Sequence, residues 1–408
     1  MNNRKIAGIV CEYNPFHTGH EYQIQKIREL GYEKIVCVMS GNTVQRGEFP
    51  IADKYARARM ALMAGADLVL ELPYPYSSSG AEFFSAAAVR ILSAVGVGTL
   101  CFGSECADVV SLTEAARICE SEEFAVAYKE LASDGLGSAS AYFEAYRRVA
   151  EALGLSNSEI PDGSNDLLGV AYIRAIKRYR LPIHPVAIKR EGSAYNDGEL
   201  SSDSGYPSAL MIRNALGGGF DKIEKSLPEA SFGILTDQAE KGKCPADIKK
   251  IESAVLSFFR LADPKALAEA NIAEAGGGLA ERICKFSRIA KSYDELVGMT
   301  SGKNYTNSRV RRAILSCMTG ATDEDVRCLP AYSTVLGFNA SGRELLAAQR
   351  RKEDPEIAFV SKPADAQSLG GRAERQFTLS ERADAIFTLA LPTPSENGEY
   401  LLRSPVII

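Results

Sequence analysis

The sequence predicts an α/β protein: a parallel sheet interleaved with helices over residues 1–216, then a mainly helical second domain over 217–408. Three observations carry this. Four short apolar runs recur in the first 105 residues, each followed by a polar turn and a helix-period segment, and β-α-β-α rhythm requires parallel strands joined by right-handed crossovers. Gly217-Gly218-Gly219 interrupts the chain where this rhythm ends. Beyond it most segments repeat their apolar residues at helical spacing.

The first strand, 6–11, reads Ile-Ala-Gly-Ile-Val-Cys and enters the turn Glu12-Tyr13-Asn14-Pro15-Phe16. His17-Thr18-Gly19-His20 follows, with Tyr22, Ile24, Ile27 and Leu30 continuing as a helix. Two histidines three apart share a face of the first helical turn. Free N–H groups and the positive dipole end gather there, which suits phosphate, and Gly19 admits a ligand to the backbone. Capping histidines or a metal pair are the other uses of this spacing. The second strand, 34–39, ends in Ser40-Gly41-Asn42, and Asp53 caps a helix running through Ala64 with Ala56, Met60 and Met63 or Ala64 inward. A third strand, 67–72, a helix from 81 to 95 and a fourth strand, 99–102, complete the unit. Ligands of such sheets bind beyond the carboxyl ends of the strands, so the loops at 12–19, 40–47, 73–79 and 103–105 share one rim.

Residues 108–154 read as helical, a helix starts near Asn165, and a fifth strand spans 181–188 and runs out through Arg190. Ser208 is placed to cap the helix that carries Arg213. The second half offers helices at 246–261, 279–289, 307–317, 342–351 and 373–389, with short strands between 329 and 360 and an apolar end at 403–408.

The chain has 408 residues and a net charge of −5, so no global basic field points to nucleic acid, and any such partner needs a local patch. Lys303, Arg309, Arg311 and Arg312 form one, free of acids from 303 to 312. Arg343, Arg350, Arg351 and Lys352 form a second. The nine cysteines include no CxxC pair, which fits free thiols in a reducing cytoplasm. No apolar run reaches spanning length, so a membrane is excluded as partner.

H-x-G-H resembles the signature of HIGH-motif nucleotidyltransferases, and Ser208-Ala-Leu-Met-Ile-Arg213 resembles their S-S-x-x-I-R element, with Pro207 replacing one hydroxyl. The blocks EYNPFHTGH, VMSGNTVQRGE, ADKYARARMAL, DLVLELPYPYSSSGAEFF, FGSE, SNDLLGVAYIRAI, GKNYTNSRVRR and LGFNASGRELL resemble the bacterial tRNA(Met) cytidine acetate ligase family over nearly the whole chain. Tyr55 stands where tryptophan is expected, and Ser164-Asn165-Asp166 where Pro-Asn-Asn is expected. The resemblance implies a Rossmann-like nucleotidyltransferase domain that makes acetyl-adenylate from ATP and acetate, with Mg²⁺. The acetyl group then passes to the N4 amine of the wobble cytidine of elongator tRNA(Met), and acetyl-CoA is not used. It implies catalytic roles for His17 and His20. It implies ATP contacts across Val10, Cys11, Glu12, Tyr13, Asn14, Pro15, Phe16, His17, Thr18, Gly19, His20, Glu21, Tyr22 and Gln23, and at Gly103, Asn165, Arg190, Ser208 and Arg213. The patch at Lys303, Arg309, Arg311 and Arg312 is the expected tRNA contact, and no protein-held metal is expected. A metabolic adenylyltransferase acting on a small phosphate ester, and a non-catalytic tRNA-binding protein, are the competing readings. Neither the oligomeric state nor the anticodon reader is legible.

Overall fold

The computed structural model describes residues 5–133, 136–155, 163–191, 206–351, 356–401 and 403–408. The first half runs β1 (Ile6–Cys11), α1 (Thr18–Glu29), β2 (Lys34–Ser40), α2 (Lys54–Met63), β3 (Leu68–Leu72), α3 (Ala81–Ala94) and β4 (Thr99–Ser104). Then come α4 (Val109–Ile118), α5 (Glu122–Ser133), α6 (Ser138–Ala152), α7 (Ser164–Arg178), β5 (His184–Lys189) and α8 (Ala209–Leu216). The second half begins with α9 (Glu229–Glu240), α10 (Glu252–Leu261), α11 (Pro264–Glu269), α12 (Leu279–Ser287), α13 (Tyr293–Thr300) and α14 (Asn307–Thr319). It ends with α15 (Asp323–Arg327), β6 (Tyr332–Phe338), α16 (Ala340–Gln349), β7 (Ala358–Val360), α17 (Pro363–Gln367), α18 (Gly371–Leu389) and β8 (Val406–Ile407).

The α/β expectation holds. The sheet order is β5-β4-β1-β2-β3-β6-β7, with β8 on β6, and the first five strands are mutually parallel. Chain order leaves β1 toward β2 on one side and returns to β4 on the other, so the topological switch lies between β1 and β4. A ligand crevice opens there, outside the strand ends. Apolar residues on alternate positions feed two layers: Ile9 and Cys37 face the layer of α1 and α2, and Val36 and Leu100 face that of α3 and α7. Ile24 and Ile27 on α1 are fully buried, each stabilising by about 1.5–3 kcal/mol and holding the histidine turn against the sheet. Met63 is half-exposed, so the inward stripe of α2 stops at Met60, Ala61 and Leu62.

The break expected at 217 is not a break in the sheet or the core. Strand β6 joins β3 antiparallel through Leu68–Phe338 and Val69–Gly337. One apolar cluster holds Phe16 and Met60 together with Leu235, Phe259, Ile283, Ile314 and Phe387. A helical reading of 217–408 misses this because β6 is a single strand whose partner lies some 270 residues earlier.

Candidate active site

His17 is the N-cap of α1, with extended backbone (φ −127°, ψ 172°). Its Nδ1 accepts from the Gly19 N–H at 3.1 Å, and the His17 N–H donates to His20 Nδ1 at 3.3 Å. The rings stack at 3.7 Å between centroids with 25° between planes. An imidazole accepting at Nδ1 carries its proton on Nε2, so the tautomer of each ring follows from these bonds. Burial lowers the His17 pKa to about 3, helped by the Arg190 and Arg213 charges. Burial also lowers His20 well below the usual imidazole range, with His17 and Arg190 adding to it. At neutral pH the pair is therefore two uncharged Nε2–H donors at a helix N-terminus. Gly19 is needed beside them, because a Cβ there would lie 3.0 Å from His17 Cε1 and 3.2 Å from Tyr206 Cβ.

The residues before α1 are held tightly. Tyr13 has a positive φ of 48°, a left-handed conformation costing about 1 kcal/mol or more in a non-glycine residue. Its ring packs edge-on to Phe16 at 4.7 Å and to His20 at 4.8 Å, and its hydroxyl meets Cys37 Sγ at 3.6 Å. Asn14 Oδ1 accepts from Ile51 N–H at 2.9 Å. Arg213 Nη1 donates to Asn14 O at 2.8 Å, which brings α8 against the histidine turn. Ser208 caps α8, its hydroxyl accepting from Met211 N–H. On the turn's outer side Thr18 donates to Ser226 O, and the Tyr22 hydroxyl donates to Glu191 at 2.7 Å.

Across the crevice the structure brings Gly103, Asn165 and Arg190 together. Arg190 Nη1 donates to Asn165 Oδ1 at 3.5 Å, and a Cβ on Gly103 would lie 3.3 Å from Arg190 Cγ. Two carboxylates, Glu105 and Asp166, build this corner. Glu105 accepts from Asn165 Nδ2 at 2.6 Å and Asp166 N–H at 2.9 Å. Buried Asp166 accepts from the Ser104 hydroxyl and from the Glu105 and Cys106 N–H groups. The aspartate standing in place of the expected second asparagine therefore ties the end of β4 to the start of α7.

Arg57 was invisible to spacing, and Glu12 of the implied ATP segment is held by contacts far along the chain. Arg57 is fully buried and donates to the carbonyls of Glu12, Ser40, Gly41 and Ala52, clamping the ends of β1 and β2. Glu12 accepts from the Gln45 N–H at 2.9 Å. Burial raises its pKa, against the lowering effect of that bond and of Arg213, Arg46 and Arg57.

Three of the four cations of the basic run are engaged within the protein. Arg311 pairs with Glu48. Arg312 donates to Gln45 O at 3.2 Å and pairs with Glu274. Arg309 donates to the Glu274 and Gly276 carbonyls and lies over the Tyr305 ring at 5.3 Å. Lys303 alone of the four is exposed. Helical periodicity turns Val310, Ala313 and Ile314 inward, and Arg311 and Arg312 flank that buried stripe.

A strand-turn-helix with paired histidines over a parallel-sheet switch point is the site of a HIGH nucleotidyltransferase, and the family model of that description, HIGH Nucleotidyl Transferase, matches residues 4–400. Among similar curated proteins, the tRNA(Met) cytidine acetate ligase of Acetivibrio thermocellus is 34% identical over 99% of this chain and 100% of its own. That of Clostridium kluyveri is 35% identical over 99% of each. The crystal structure of Thermotoga maritima TmcAL bound with alpha-thio ATP superposes with a TM-score of 0.89, at 30% identity and 99% coverage of each chain. Its apo form gives 0.91. The chain belongs to the tRNA(Met) cytidine acetate ligase family of HIGH nucleotidyltransferases.

Proposed function

We propose that this protein is a cytoplasmic ligase that activates acetate with ATP and transfers the acetyl group to the N4 amine of the wobble cytidine of elongator tRNA(Met). The observation that carries the reading is the histidine pair, fixed as two neutral Nε2–H donors beside Arg190 and Arg213. An acetate oxygen attacks the α-phosphorus of ATP and pyrophosphate leaves. Negative charge grows on the phosphate oxygens, which the Nε2–H groups of His17 and His20 and the positive end of the α1 dipole would stabilise. Neutral donors suit this task because they hold the leaving pyrophosphate without trapping it as a full cation would. The ATP analogue in the Thermotoga relative supports ATP as the nucleotide, and the curated names support tRNA(Met) as acceptor. Nine free thiols agree with a reducing compartment, and among the described residues no helix is long and apolar enough to cross a membrane.

The described residues contain no cluster of three or more His, Cys, Asp or Glu side chains arranged for a metal. Mg²⁺ would arrive on the phosphates of ATP as part of the substrate, and no step above passes through it. The site elements Val10 to Gln23, Gly103, Asn165, Arg190, Ser208 and Arg213 all precede 217, so we assign adenylation to residues 1–216. The half from 217 holds the tRNA, with Lys303 and the outward edge of Arg309 as its phosphate contacts, while Arg311 and Arg312 anchor the rim loop.

The test is ATP–pyrophosphate exchange with purified protein. Exchange should require acetate and proceed without tRNA, and labelled acetate should enter tRNA(Met) with release of AMP. Exchange driven by a phosphate ester instead of acetate, or incorporation from acetyl-CoA without ATP, defeats the reading.

A further inference from the structure

We propose that Glu12 is the base that takes the N4 proton of the cytidine during acetyl transfer, held in place by a strut from the second half through Gln45. The inference rests on the ligase reading above and concerns its second step. The cytidine amine is a poor nucleophile, since its lone pair is delocalised into the ring. As the C–N bond to the acetyl carbon forms, one N4 proton must go to an acceptor. The C–O bond of the mixed anhydride breaks, and AMP leaves with that electron pair.

The rim offers few acceptors. Neither histidine qualifies, because each Nδ1 lone pair is already taken by a backbone N–H and each Nε2 carries the proton. Glu105 has both oxygens engaged by α7, and Asp166 has both engaged by the β4 turn. Glu191 is exposed on the outer side of the turn, where it takes the Tyr22 hydroxyl, and half-buried Glu12 differs from all of these. Its Oε1 takes the Gln45 N–H, and no hydrogen bond from a described residue engages Oε2. It follows β1 directly at the switch point and precedes the left-handed Tyr13 that packs on His20. The charges around it are Arg213, Arg46 and Arg57, of which Arg57 also fixes its main chain by donating to its carbonyl at 2.6 Å.

A second observation ties Glu12 to the tRNA step. The loop 43–48 that supplies the Gln45 N–H is seated on α14. Arg312 donates to Gln45 O, Arg311 pairs with Glu48, and Gly47 (φ 73°) lies so close that a Cβ would be 2.5 Å from Arg312 N. One peptide unit on each side of Gln45 thus links α14, in the half that holds tRNA, to the Glu12 carboxylate. Burial lifts the Glu12 pKa, which strengthens it as a base.

The experiment isolates the second step. Acetyl-adenylate is formed on the full chain from ATP and acetate, pyrophosphatase removes pyrophosphate, and unmodified tRNA(Met) is added in a rapid-quench chase at several pH values. In the parent the transfer rate should rise with pH along a one-proton limb and then level off. In Glu12→Gln, whose amide oxygen still accepts from Gln45 N–H, the rate should fall about 100-fold or more and lose the limb. Glu12→Asp should keep a limb, displaced in pH, at a partial rate, and it carries the test if the glutamine variant does not fold. A glutamine variant within about fivefold of the parent, or one with the parent's limb, overturns the assignment and passes the role to the departing AMP phosphate. Failure of the parent to form acetyl-adenylate overturns the ligase reading instead, and this inference with it.

Discussion

The two sides of the sheet's carboxyl edge handle charge in opposite ways. On the β1–β4–β5 side, the histidine pair has both Nδ1 atoms satisfied by backbone N–H groups, and no hydrogen bond among the described residues engages either Nε2–H. On the β2–β3–β6 side, Lys54 is buried and pairs at 2.8 Å with both Glu71 and Asp384. Asn42 accepts from the Lys54 N–H and donates to Asp384. Burial opposes the Lys54 charge, but Asp384 and Glu71 outweigh it and raise its pKa. Burial lifts Asp384, and repulsion from Glu71 adds to it. Charges paired with one another stiffen an edge, and unanswered donors make it a binding site. The difference lies in the partners, since both edges are rich in polar side chains.

Substitutions should separate the two sides. The largest effect belongs to His20→Ala, which removes one preset donor and should slow acetate-dependent exchange about 100- to 1,000-fold. Loss of the bond to the His17 N–H should lower its stability by about 1 kcal/mol, and parental exchange in this variant would mean that the histidines only cap α1. Next is Lys54→Met, which leaves two buried carboxylates facing each other. A loss of about 3–5 kcal/mol in urea unfolding is expected, and a variant as stable as the parent would show that the cluster is already half-neutralised.

Smaller effects divide the basic run. Arg312→Ala should cost about 1–3 kcal/mol through the broken bonds to Gln45 and Glu274, with an unaltered salt slope for tRNA binding. Lys303→Ala should leave stability alone and reduce that slope by about one unit. Equal salt slopes for the two variants would contradict the division of roles. Acid tests the histidine side separately. Between pH 3 and 6.5 the unfolded chain binds a proton at His17 that the folded chain does not, so stability contributed by this group rises with pH across that window. Because the folded ring stays neutral, exchange should show no histidine limb between pH 8 and 5.

What the sequence revealed and what it hid follow the range of the interactions involved. β1 to β4, the Asp53 cap and the histidine turn depend on neighbours within a few residues, and local patterning exposed them. The pairing of β6 with β3 was hidden because the two strands lie far apart in the chain, and Asp384 meets Lys54 across a similar distance. Arg57 sits in an otherwise ordinary helix, and nothing near it in sequence tells that its guanidinium reaches four carbonyls. Arg311 and Arg312 looked solvated because acids are absent from 303 to 312, yet Glu48 and Glu274 lie well outside that window. Tyr55 fills its place by donating toward the Tyr400 and Arg403 carbonyls, contacts that also come from the far end of the chain.

The most direct measurement is long-range ¹H–¹⁵N spectroscopy of the imidazoles, which is tractable because the chain has only three histidines. Exposed His184 provides the reference, and His17→Gln and His20→Gln assign the other two signals. His17 and His20 should each show a protonated Nε2 and a bare Nδ1, unchanged from pH 8 to 5. An imidazolium signal, or a proton on either Nδ1, would contradict the neutral donor pair on which the account depends.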